Sequence, residues 1–304
     1  MIFIAISSAL LVIFLALFIM NGIVLDVSFR GGTRMSIECE QKIDANAAGV
    51  LLEKALNKKV NASLMETYSS DSTAAKIIML RIDVASKDPL TDVEEKLVRD
   101  TLKENYPVKL DSNKNEVVSI TASIGRETLE KGLLAVLISS LLILFYVAWR
   151  FSIMSGFSAA ICAVIALLHD VGMMLGVYVI FRMPFNDVFI AAILTVIGYS
   201  INDTIIIYDR IRENSNNMKK SSMGSIVNAS IWQTLSRSIN TMLTTLISIV
   251  VLYIFSAINS IPSLKDFSFS LMIGVTAGGY SSIFIAATLW LMWRENRIKA
   301  KLAH

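Results

Sequence analysis

The residues of this chain best placed to do chemistry are charged groups set in or beside long apolar runs. Asp203 stands in Gly198-Tyr-Ser-Ile-Asn-Asp-Thr204, inside the apolar stretch Asp187–Tyr208, and Arg237 stands just ahead of the next stretch, Ile239–Phe255. A charge at mid-bilayer costs about 2.5–3.5 kcal/mol on insertion scales, so an ionisable residue there needs a reason. At 1.5 Å per helical residue Asp203 lies about 22 Å along its run from Val188. A carboxylate so placed can take up and release a proton, with its charge set by desolvation against any cation nearby. Its structural alternative is a neutral, hydrogen-bonded packing residue. Arg237 is the available cation. Ser230, Thr234, Arg237, Thr241, Thr244 and Ser248 recur at helical spacing, one face polar for five turns. Such a face must meet protein or water rather than lipid, and it reads as a lined pathway. Arg237 alternatively snorkels to the membrane surface.

His169-Asp170 sits near the middle of a third run, in phase with Gly172 and Gly176, and reads equally as a proton relay or a structural pair. Asn202, Thr241 and Thr244 are further relay or packing candidates. Ser270, Gly274, Gly278 and Ser282, every fourth residue, form a packing stripe. Asp209, beside Arg210 and Arg212, reads as an interfacial charge. Other chemistries find no support. The only histidines are His169 and His304, and the only cysteines Cys39 and Cys162, so neither a metal site nor a disulfide framework is expected. There is no phosphate loop, nucleophile elbow or dinucleotide fingerprint. No catalytic residues and no enzyme activity are expected, and no cofactor beyond protons as coupling ion.

The elements that must hold these residues follow from composition. The 304 residues are 54% hydrophobic and 17% charged, against roughly 25% charged in ordinary globular chains. Residues 26–131 carry 16 of the 28 Lys+Arg and 18 of the 25 Asp+Glu, a net of −2; the rest carries 12 and 7, a net of +5. A soluble insert in a membrane protein explains that split, and the basic excess outside it belongs to membrane topology rather than to nucleic acid. About 20 apolar residues span a bilayer, which predicts six spans: Ile2–Leu25, Gly132–Trp149, Ser155–Phe181, Asp187–Tyr208, Ile239–Phe255 and Phe267–Trp293. The first lacks a basic leader region and a cleavage site, so it is expected to be retained. The expected fold is an α-helical polytopic membrane protein of six transmembrane helices, with an α+β ferredoxin-like external domain between helices 1 and 2. Its parts are helix 1 (1–25), the external domain (26–131) and a five-helix bundle (132–304) with a loop over 209–225.

Orientation follows from the short flanks. Arg150, Arg210, Arg212, Lys219, Lys220, Arg294, Arg297, Lys299 and Lys301 fall on one side; Arg182 and Lys265 fall on the other. The positive-inside rule puts the first set and both termini in the cytoplasm, and residues 26–131 outside. Within the insert, Arg34–Glu38, Val60–Thr67, Ile77–Ile82 and Val117–Ala122 read as strands, and Ala45–Leu56 and Leu90–Asn105 as helices. This β-α-β-β-α-β order is that of a split βαβ sheet. The insert shows no catalytic constellation and reads as a docking or handling domain.

The run Gly198–Asn214 closely resembles the fourth-span signature of SecF, from the SecD/SecF family of bacterial protein-export membrane subunits. Gln233–Thr241 resembles the start of its fifth span, His169-Asp170 the pair in its third, and Phe29-Arg-Gly-Gly-Thr33 the Phe-x-Gly-Gly-Thr at its first membrane exit. The family usually carries Asp just before that Phe; here the position is Ser28. The resemblance covers the whole chain and fits either a separate subunit or the second half of a fused SecD–SecF polypeptide. It implies membership of the resistance–nodulation–division superfamily. It also implies export of unfolded polypeptide across the bacterial cytoplasmic membrane with SecD and the SecYEG channel, YidC and YajC being further partners, driven by the proton motive force. Membrane lipid is an expected partner and nucleic acid is not. By the same resemblance Asp203 is the proton-carrying carboxylate, Arg237 its cationic partner, and Phe29, Gly31, Gly32 and Thr33 the exit motif. The alternatives are a proton-coupled small-molecule or lipid exporter of the same superfamily and a non-transporting translocase scaffold.

Overall fold

A computed structural model describes residues 2–68, 76–86, 88–113, 115–152, 156–259 and 261–302. Ser155, where the third span is expected to begin, and His304 lie outside the described residues, as do the side chains of Lys299 and Lys301. Among the described residues, six helices are long and apolar enough to cross a membrane. The first, α1 (Ile2–Asn21), leads through a short turn of helix, α2 (Val27–Arg30), into the inserted domain. The domain runs β1 (Gly32–Cys39), α3 (Ala45–Leu56), β2 (Val60–Tyr68), β3 (Lys76–Ala85), α4 (Asp92–Asn105), β4 (Val108–Lys109) and β5 (Glu116–Ile120). The bundle then follows as α5 (Ala122–Arg150), α6 (Gly156–Ile180), α7 (Asp187–Asn217) and α8 (Met223–Ile258). Its last span is α9 (Pro262–Ser281) continued through a π-helical turn, Ser282–Ala286, into α10 (Ala287–Leu302).

The sheet order is β2-β3-β1, with β4 and β5 both on the far side of β1 and all pairings antiparallel. This is the expected split βαβ topology with its last strand divided in two. Asn115 holds the break: its Oδ1 accepts from the Glu38 amide at 2.8 Å, while its Nδ2 donates to the carbonyls of Lys109 and Leu110 at 2.7 and 2.8 Å. Strand alternation sends Met35, Ile37 and Cys39 with Leu80, Ile82 and Val84 to one face. There they bury against Leu52 of α3 and Val98 and Leu102 of α4. The helix α4 begins at Asp92 rather than Leu90, because Thr91 closes a capping box with Glu94 and frees Leu90 for the core.

The bundle helices are longer than the apolar runs that announce them. α5 begins ten residues ahead of Gly132, and its polar first turns carry the (i, i+4) pairs Arg126–Glu130 (2.8 Å) and Glu127–Lys131 (2.6 Å). α7 and α8 run far into the expected 209–225 loop, leaving only Met218–Ser222 as connector. At 1.5 Å per residue α7 measures roughly 46 Å against a hydrocarbon core of about 30 Å, so it must project into water. An apolar run reports membrane thickness and not helix length. α6, α7 and the α9–α10 span form the centre of the bundle, while α1, α5 and α8 lie largely exposed around it.

Candidate functional site

Asp203 is 7% exposed on the α7 face turned toward α8, and its Oδ1 accepts a hydrogen bond from Ser238 Oγ at 2.7 Å. Arg237 is exposed; it lies within electrostatic reach of Asp203, but makes no ion pair with it within 4.0 Å among the described contacts. Successive helical residues project about 100° apart, so only one of Arg237 and Ser238 can point straight at α7. Ser238 is the contact that sequence reasoning missed, because the polar stripe was phased on the arginine. Thr241 and Thr244 are exposed and return their hydroxyls to the carbonyls of Arg237 (2.8 Å) and Asn240 (2.9 Å). Asn202 is exposed on α7. Just inside, Thr204 and Ser282 share a hydroxyl hydrogen bond of 2.9 Å, and Ser282 also donates to the Ser200 carbonyl at 3.2 Å.

The polar face of α8 therefore starts buried, at Ser230 and Thr234, and emerges at Arg237, Thr241, Thr244 and Ser248. On α7 the exposed positions Ala191, Thr195, Gly198 and Asn202 recur every three to four residues and are small or polar. The threonine and serine hydroxyls are satisfied within their own helices, but lipid does not serve the exposed Asn202 and Arg237 side chains, whereas another membrane helix or a water-filled path does.

His169 and Asp170 form a second polar centre, 5% and 1% exposed. Asp170 Oδ2 accepts from Ser200 Oγ on α7 at 2.7 Å and from Ser281 Oγ on α9 at 2.9 Å; its Oδ1 lies 3.1 Å from His169 Nδ1. His169 Nε2 is hydrogen-bonded to Ser7 Oγ on α1. Four helices thus meet on one carboxylate–imidazole pair. The chain Ser7–His169–Asp170–Ser200 has the connectivity for proton transfer, and the saturation of Asp170 also makes it a structural tie. The Ser270–Ser282 stripe supplies the close approach: a Cβ on Gly278 would sit 2.9 Å from Ser200 Cβ, and one on Gly274 2.2 Å from Val196 Cγ2. Ser200, Ser281 and Ser7 carried no signal beyond their type, since serine is ordinary in membrane helices.

The exit motif is an elbow. Phe29 is buried against Phe185 with ring centroids 5.6 Å apart. Gly31 and Gly32 have φ of +82° and +133°, and a Cβ on Gly32 would lie 2.1 Å from the Val84 carbonyl oxygen, so only glycine serves there. Thr33 is fully buried; its hydroxyl accepts from the Leu90 amide at 2.9 Å and bonds Ser119 Oγ at 3.0 Å. The acid absent at position 28 has a counterpart in Asp26. This residue caps α2, taking the amide and hydroxyl of Ser28 on Oδ1 at 2.9 and 2.8 Å. Burial pushes the Asp26 carboxyl up, but the Ser28 hydrogen bonds and the Arg34 guanidinium outweigh it and hold it below the usual carboxylate range.

Fold and site together define a multi-pass α-helical membrane protein with a ferredoxin-like insert and two buried carboxylates in its bundle. Residues 98–296 match the family described as protein export membrane protein SecD/SecF, C-terminal. The chain is 35% identical over 308 residues to the protein translocase subunit SecF of Desulfurispirillum indicum, covering 98% of this chain and 91% of that one. The SecF of Alicyclobacillus acidocaldarius is 43% identical over 187 residues, 60% of this chain and 58% of the relative. The solved structure of SecDF from Thermus thermophilus, a translocon-associated membrane protein, superposes with a TM-score of 0.76 at 28% identity. That match covers 96% of this chain and 37% of SecDF, so the chain spans a little over a third of the fused protein. The chain belongs to the SecD/SecF family of protein export membrane proteins.

Proposed function

We propose that the chain acts as a SecF subunit of the Sec translocase in the bacterial cytoplasmic membrane. It works with SecD beside the SecYEG channel to draw unfolded chains outward at the expense of the proton motive force. Both termini are cytoplasmic and the sheet domain is external, a reading that the distribution of short-loop cations supports. The observation that carries the reading is Asp203, buried at the border of a face of α7 and α8 that lipid cannot cover. SecD supplies the cover, and protons reach Asp203 along the seam. Protonation removes the attraction of Asp203 for Arg237 and weakens its acceptance from Ser238, which changes how α7 and α8 fit. The membrane potential adds about 2.3 kcal/mol per charge per 100 mV, enough to bias a two-state equilibrium of a few kcal/mol. A mere scaffold has no use for so costly a group.

The test is protein export into inverted vesicles with and without a proton gradient, using Asp203→Asn and Arg237→Met at matched expression. Both variants are expected to assemble and to lose the gradient-dependent part of export. Full gradient dependence in Asp203→Asn would refute the reading.

A further inference from the structure

We infer that Asp26 is the joint through which α7 moves the sheet domain, an inference that rests on the proton-coupled reading above. Two sets of contacts converge on this residue from opposite sides. On the bundle side, residues 24–26 run beside the connector between α6 and α7. Leu25 pairs with Phe185 in a parallel bridge, the Phe185 amide donates to the Val24 carbonyl at 2.8 Å, and the Asp26 amide donates to the Phe185 carbonyl at 3.0 Å. Phe185 immediately precedes Asn186, whose side chain caps α7 by accepting from the Phe189 amide at 2.9 Å. Backbone hydrogen bonds therefore tie the end of the Asp203 helix to residue 26.

On the sheet side, Arg34 Nη2 donates to both Asp26 oxygens at 2.8 Å, and its Nε donates to Asp83 at 2.6 Å. Arg81 joins Asp26 at 3.4 Å and Asp83 at 3.2 Å. Arg34 lies on β1 and directly opposite Asp83 on β3 in register, so the load reaches the two central strands on the face free of α3 and α4. Asp26 is 4% exposed, while Arg34, Arg81 and Asp83 keep 17–23% of their side chains exposed. A carboxylate buried this deeply gains little net stability from its pairing; what its several fixed hydrogen bonds supply is directional stiffness. Beside the cluster a cleft of about 390 Å³ separates sheet from bundle, lined by Asn61, Arg81 and Asp83 on one side and by Pro184, Ser256 and Lys265 on the other. An anchored point next to a gap is the geometry of a pivot.

The test uses the chain in vesicles with its full translocase. Asn61→Cys is exposed in the cleft, and native Cys39 and Cys162 are buried. Labelling by a water-soluble maleimide is compared with and without the gradient within each variant. In the otherwise native chain the rate is expected to change several-fold. Asp26→Asn is expected to abolish the change, and Asp26→Glu to restore it in part. Arg81→Gln leaves the Asp26–Arg34 pair in place and is expected to weaken the change; it decides the matter if Asp26→Asn does not accumulate. A native-sized response in Asp26→Asn, or in Arg81→Gln standing in for it, overturns the inference while leaving the proton-coupled reading intact. No response in the native chain also overturns the inference, and the proton-coupled reading is then decided separately by the export assay on Asp203→Asn.

Discussion

Replacing Asp170 separates its charge from its hydrogen bonding. Asp170→Ala strands Ser200 Oγ, whose 2.7 Å bond is lost, and His169 Nδ1, at 3.1 Å, whereas Ser281 keeps a second acceptor in the Gly278 carbonyl at 3.2 Å. Each stranded buried group costs about 1–3 kcal/mol, so the alanine variant is expected to lose about 3 kcal/mol, before any loss of packing. Asp170→Asn has the same shape. Its Oδ1 can keep both serine hydroxyls and its amide can donate to His169 Nδ1, with the imidazole proton moved to Nε2 and given to Ser7. The expected loss is about 1 kcal/mol, the difference between hydrogen bonds to a charged and to a neutral acceptor. The assay is reversible unfolding in mixed micelles titrated with sodium dodecyl sulfate, read by the helical circular dichroism. If Asp170→Asn proves as destabilising as Asp170→Ala, the carboxylate charge rather than its hydrogen-bonding pattern joins α1, α6, α7 and α9, and the structural reading of the pair fails.

Gly274→Ala places a Cβ 2.2 Å from Val196 Cγ2 and 2.9 Å from Met174 Sδ, and such overpacking costs about 1–3 kcal/mol, visible in the same unfolding assay. Thr91→Ala removes the capping box of α4 and is expected to cost about 1 kcal/mol, read as faster hydrogen exchange in the first turn of that helix. Asp26 has a native pKa below its ordinary 3.8, so its contribution is full above that value and fades as pH falls through the lower native one. The gap in melting temperature between the native chain and Asp26→Asn should be constant above about pH 5 and should close on further acidification.

The number of spans and the order of the insert were legible because both rest on local patterns. An uninterrupted apolar run needs no tertiary information, and α3 has the bounds that its own periodicity predicts, Ala45–Leu56. Helix length beyond the bilayer was not legible, since the polar extensions of α5, α7 and α8 look like loops to any measure of hydropathy. The two carboxylates stood out because charge in apolar surroundings is rare; their serine partners did not, because a hydroxyl gains its role only from the helix opposite. Which of Arg237 and Ser238 faces Asp203 depends on helix rotation to within a fraction of a turn. Asp26 escaped notice because its partners, Arg34, Arg81 and Asp83, meet it only once the sheet is formed and the elbow at Gly31 and Gly32 turns β1 back over the membrane exit.

On the proposed function, Asp203 and not Asp170 carries the coupling proton. The most direct measurement is the infrared difference spectrum, acid minus alkaline, of the translocase complex in lipid vesicles, read in the carboxylic acid C=O stretch. The expected result is a protonation band that disappears in Asp203→Asn and persists in Asp170→Asn. A band that survives in Asp203→Asn and vanishes in Asp170→Asn would contradict it, and would move the coupling site to the His169–Asp170 pair.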